Sequence, residues 1–227
     1  MKLKLVFLII VASATAAQAQ QSHTEAAVNE QPQAVVNDDR GRAFVIRRET
    51  DPLPTRGKHE RVILEPQQYS IFLGNDWAEP SLRAREANLA NLLASLRDEA
   101  MLNAISEAGV KNFFGPATGQ EKLDDLSGNI SDLEIQNVLS GMLKDGTLPK
   151  PNPNAIYVLY LDPELRSTLG SMIAGKHYVA YHSFFNAAGT KLHYVVVPFE
   201  ADQKTAYQIA LRAFVVAALN PRGSTSN

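Results

Sequence analysis

The chain has 227 residues, 22 of them Lys or Arg and 24 Asp or Glu, with no Cys and a formal charge of −2. That balance excludes a polyelectrolyte, and the absence of thiols excludes disulfide staples and a cysteine nucleophile. A hydrophobic content of 45% supports the core of one ordinary domain. Nucleic acid is excluded as a partner because phosphate binding depends on concentrated positive charge, and no uninterrupted Lys/Arg cluster is present.

Lys2 and Lys4 precede an apolar run at 5–12, and small residues lead into Ala17-Gln18-Ala19. This is the three-part pattern of a secretory signal peptide, with cleavage expected after Ala19. The run is shorter than the roughly 20 residues a membrane span requires, so none is expected in the mature chain. Loss of residues 1–19 removes both lysines and leaves 20 basic against 24 acidic groups. Export without cysteine places stability on packing and points to a periplasmic or secreted protein. Residues 20–60 are polar, punctuated by Pro32, Pro52 and Pro54, and show no sustained period, so a flexible lead-in is expected. Within it, 43–46 is an apolar island able to dock as an edge strand. The basic stretch 40–61 is interrupted by Glu49, Asp51 and Glu60 and reads as a solvated linker.

An ordered domain is expected over 61–221. Residues 62–64 and 69–73 read as extended, the second ending at Gly74-Asn75-Asp76-Trp77, a turn that carries the single tryptophan. After Pro80, Leu82, Leu89, Leu92, Leu93, Leu96 and Ile105 are spaced mostly by three, four or seven, which predicts one long helix with a face on a sheet. Residues 115–128 read as a polar loop. Ser131 and Glu134 then form a capping box, with Ile130 and Ile135 as the staple, and Lys144 and Gly146 suit the helix end. The apolar run 155–161 predicts a central strand covered on both faces. Residues 177–185 and 191–199 predict a hairpin closed by Asn186-Ala187-Ala188-Gly189. A last helix is expected from Asp202 to about Leu219, apolar almost all round and therefore buried. The fold class is α+β: a single domain with a mostly β layer and a C-terminal hairpin, packed by three main helices, and followed by a disordered tail at 222–227.

A four-residue hairpin loop sets His182 opposite His193, with Cβ atoms about 5 Å apart. Two imidazoles supply only half of a zinc site, and no third ligand stands at a diagnostic spacing, so no metal or other cofactor is expected. His177, five residues before His182, falls on the other face. No Gly-x-Ser-x-Gly or Gly-x-Gly-x-x-Gly occurs. The string 170–176 has the glycines and lysine of a phosphate loop, but His177 replaces the hydroxyl and a strand follows instead of a helix. Asp76 and Asp162 follow strands, where α/β sheets commonly bind ligands. Turn capping is their plainer role. Arg212 is the single charge between Thr205 and Leu219; it must snorkel, pair, or hold an anion.

The strings Phe72-Leu73-Gly74-Asn75-Asp76-Trp77, Ile130-Ser131-Asp132-Leu133-Glu134-Ile135-Gln136, Gly146-Thr147-Leu148-Pro149, Asn154-Ala155-Ile156-Tyr157-Val158-Leu159, Ala180-Tyr181-His182 and Tyr194-Val195-Val196-Val197-Pro198 follow one another in this order. In order and spacing they resemble the EXORDIUM-like, phosphate-induced protein family over about residues 69–221. The resemblance implies an exported protein without a defined enzymatic activity. The last helix departs from the family's His-Glu-x-x-Glu string: Asn220-Pro221 is kept, while Arg212, Ala213 and Val216 occupy the matching positions.

Together these features lead to an exported, non-catalytic binding protein for a small molecule or cell-envelope component. Ligand contacts are expected from Asp76, Trp77, Asp162, His182, His193 and Arg212. The alternative is an exported hydrolase, with or without a metal, built on Asp76, Asp162, His182 and His193. A third reading is an anion site on Arg212.

Overall fold

In the computed structural model the described residues are 34–37, 41–51, 53, 61–90, 92, 96–111, 118–122, 126–187 and 189–222. The expected signal peptide and the tail at 223–227 lie outside them. The first strands are β1 (Ala34–Asn37), β2 (Gly41–Ile46) and β3 (Gln67–Leu73). After a 3-10 turn at Asn75–Ala78 come α1 (Pro80–Ala90), α2 (Glu99–Glu107), β4 (Thr118–Lys122), β5 (Gly128–Ser131) and α3 (Asp132–Lys144). The remainder is β6 (Ala155–Leu161), β7 (Leu165–Leu169), β8 (Met172–Ile173), β9 (Ala180–Ala187), β10 (Thr190–Val197) and α4 (Gln203–Leu219).

The α+β class stands. Seven strands form one mixed sheet in the order β1-β2-β9-β10-β6-β3-β4, and β5-β7-β8 form a second, small sheet. Pairing is antiparallel from β1 to β10 and parallel from β10 to β4. β6 lies between two parallel neighbours and every one of its residues is buried, as its unbroken apolar run requires. Alternation along the strands then divides the core in two. Phe44, Phe72, Val158 and Val195 face α1, α2 and α4. Ile71, Leu159, Tyr194 and Val196 face α3 and the small sheet. No helix among the described residues is long and apolar enough to cross a membrane.

The capping box of α3 is present in full. The Ser131 hydroxyl oxygen accepts from the Glu134 amide, and the Glu134 carboxylate accepts from the Ser131 amide at 2.7 Å. Ile130 and Ile135 are both buried beneath it. α4 begins one residue after its Asp202 cap, and eleven of its residues are buried.

Four expectations are corrected. The lead-in assigned to 20–60 contains β1 and β2: the apolar island at 43–46 does dock as a strand, though between β1 and β9 and not at an edge, and Ala43, Phe44, Val45 and Ile46 are at most 4% exposed. The outer edge of β9 has unpaired N–H and C=O groups that β2 satisfies, and this tertiary demand outweighs the charged flanks. The polar loop at 115–128 includes β4, which pairs in parallel with β3; an edge strand needs only backbone pairing, so its sequence Thr-Gly-Gln-Glu-Lys shows no apolar alternation. The single long helix is two, because Asp98 accepts from the Met101 amide at 2.9 Å and so starts α2. The hairpin closes through two residues instead of four, with Thr190 opposite Ala187 and Gly189 at φ 78°. The tight turn moves the register by two.

Candidate functional site

Gly74, Asp76, Trp77 and Asp162 meet where β3 and β6 end side by side. The Asp162 carboxylate accepts from three backbone amides: Asp76 at 3.0 Å, Glu164 at 3.1 Å and Leu165 at 3.0 Å. Burial pushes its carboxyl above the ordinary aspartate range and the neighbouring Asp76 charge adds to this, while the amides act in the opposite direction. Gly74 sits at φ 117°, and a Cβ there would lie 2.0 Å from the Asp162 Oδ2. Asp162 is thus a buried clasp between two strand ends, as the turn-capping alternative had it. The expectation that it meets a ligand is corrected, since 1% of its surface is exposed. Trp77 is likewise core: it is 2% exposed, donates from Nε1 to the Tyr160 carbonyl at 3.1 Å, and meets Phe72 edge-on.

His182 and His193 do share a face, but the tighter hairpin puts His182 opposite Val195 and His193 opposite Phe184. The direct His182–His193 pairing is therefore corrected to a diagonal one. Both rings are buried, and His182 stacks on Phe44 with 5.3 Å between centroids. Burial lowers the His182 imidazole to about 3, with His193 adding repulsion. It lowers His193 to about 4, with Lys191 adding repulsion and the Pro221 carbonyl opposing it. His182 Nε2 and His193 Nδ1 have no hydrogen-bond partner among the described residues. Among the described residues no group of three or more His, Cys, Asp or Glu side chains could hold a metal ion.

The clasp and the imidazoles do not converge. His193 aligns with Ile156 at the start of β6, whereas Asp162 follows its end. Six residues at about 3.3 Å each place these rows roughly 20 Å apart. The hydrolase constellation of Asp76, Asp162, His182 and His193 therefore has no common centre. Arg212 is half-buried on α4, and its Nη1 donates to the Asp51 carbonyl in the segment after β2. Burial lowers its guanidinium, and Asp98, Asp51 and Glu49 partly compensate. Its plainer role, a cation drawn from a buried helix toward polar groups, accounts for these contacts.

Two features have no simple sequence signal. Asp132, at the start of α3, is buried, and its Oδ1 accepts from the Tyr181 hydroxyl at 2.9 Å and the Tyr194 hydroxyl at 2.6 Å. Gln136 donates to its other oxygen at 2.8 Å. Burial, reinforced by the Asp132 charge, pushes both phenols well above their ordinary value. The carboxylate and phenols come from three elements that only the fold brings together. The second feature is a cleft of about 240 Å³ beyond the carboxyl ends of β6 and β10. Leu165, Val179, Phe199 and Ile209 form its apolar wall, with Arg166 and Glu200 also lining it. Wider clefts lie where α1 ends beside the start of α4, about 750 Å³, and beside the end of α3, about 590 Å³.

Comparison with protein-family models, curated proteins and solved structures finds no match to this chain.

Proposed function

We propose that the protein is an exported, non-catalytic binding protein that takes a small ligand in the cleft at the carboxyl ends of β6 and β10. The observation that carries this reading is the cleft's position: ligands of sheets with parallel strands settle outside the strands' carboxyl ends. Its wall combines apolar side chains with two charged ones, and charged groups at fixed places are what orient a small molecule in such a site. By contrast, the Asp162 carboxylate is engaged in the clasp and both imidazoles are buried. Export rests on the leader pattern at 1–19 and on the EXORDIUM-like resemblance, whose members are exported without a defined activity.

The test is a thermal-stability screen of the untagged chain against small cell-envelope and nutrient compounds. A ligand should raise Tm in the wild type and lose that effect in Val179→Trp, which fills the cleft. A ligand whose effect survives Val179→Trp would place binding elsewhere. Turnover of a screened compound, lost in the same variant, would replace binding with catalysis. Export predicts a secreted product beginning at Gln20, read by mass spectrometry of the intact protein.

A further inference from the structure

The charges at the cleft point to a ligand class. Arg166 stands on β7, and its guanidinium has no hydrogen bond or ion pair among the described residues. Glu200 follows β10, is half-buried, and uses Oε1 to accept the Asp202 amide at 3.0 Å. The two side chains line the same cleft without pairing. Arg85 donates from Nη2 to the Glu200 carbonyl at 2.6 Å and lies over the Phe199 ring at 5.0 Å. Its guanidinium thus holds two residues that line the cleft, Phe199 and Glu200.

A cation and an anion on one small cleft with an apolar wall complement a molecule that carries both charges and an apolar body. At about 240 Å³ the volume falls below the 300 Å³ or so at which drug-sized sites begin, so the ligand is small. Resting on the cleft reading above, we infer that the site takes a free amino acid with an aliphatic side chain. Its carboxylate meets Arg166, its ammonium meets Glu200, and its side chain lies among Leu165, Val179, Phe199 and Ile209. An Arg–carboxylate pair can be bidentate, which would set the ligand's orientation. A neutral sugar would leave both charges unmatched, and a simple carboxylic acid would leave Glu200 beside its apolar body.

The experiment compares thermal unfolding of the full chain with millimolar L-leucine, leucinamide, which keeps only the ammonium, and isocaproate, which keeps only the carboxylate. Leucine is expected to raise Tm, with each analogue giving less than half that gain. Arg166→Met should abolish the gains from leucine and isocaproate. Glu200→Gln, which keeps the acceptor for the Asp202 amide, should abolish those from leucine and leucinamide. No gain from leucine, or an equal gain from either analogue, overturns the amino-acid assignment. If another compound's gain is lost in Val179→Trp while leucine has none, the assignment fails and the cleft reading stands. If leucine's gain survives Val179→Trp, the cleft reading fails with it.

Discussion

At the scale of single residues, Gly74 and Asp162 form a matched pair: the absence of a side chain on one makes room for the carboxylate of the other. Gly74→Ala is expected to cost about 3 kcal/mol in urea denaturation, from positive-φ strain and displacement of the clasp. In the double variant with Asp162→Ala the costs should fall short of additive, because the obstructing carboxylate is gone. The imidazoles set a pH limit. Both His182 and His193 are held neutral in the fold, with values lowered to about 3 and about 4, whereas the unfolded chain takes up protons below about 6.5. Their contribution is therefore full above pH 6.5 and is lost as the pH falls through about 4 and then about 3. His182→Phe, which keeps a ring beside Phe44, should flatten the fall of stability between pH 6.5 and 4. An unchanged slope would show that other groups govern acid unfolding.

At the scale of elements, α3 shows how much a short pattern can specify. Ser131, Glu134, Ile130 and Ile135 are close in sequence, so the cap and staple form from local geometry. Ser131→Ala should cost about 1 kcal/mol by chemical denaturation. Asp132 belongs to the same turn, yet its partners Tyr181 and Tyr194 lie 49 and 62 residues away. Nothing local distinguishes it from an exposed residue in a helix's first turn. The hairpin lies between these cases: both strands were legible from alternation, but the two-residue turn decided the register and with it the relation between the histidines.

At the scale of the whole molecule, the segment before residue 61 is part of the core. β2 pairs with β9, Phe44 and Ile46 pack into the α4-side cluster, and the Asp51 carbonyl accepts from Arg212. Phe44→Ala should cost about 3 kcal/mol, and a chain beginning at Arg61 should lose its cooperative thermal transition by circular dichroism. A full-amplitude transition in that chain would show β2 to be an accessory. The sequence by itself determined the α+β class, the buried central strand, the α3 cap and the buried last helix, because each is encoded by neighbouring side chains through periodicity or capping. The tertiary structure alone decided that the island at 43–46 lies inside the sheet with a further strand beyond it, that 118–122 completes the far edge, that the two candidate aspartates and the two histidines lie at opposite ends of β6, and that Arg166 and Glu200 share a cleft. Edge pairing is satisfied by backbone groups common to every residue, and convergence depends on strand order and register, so neither leaves a local pattern to read.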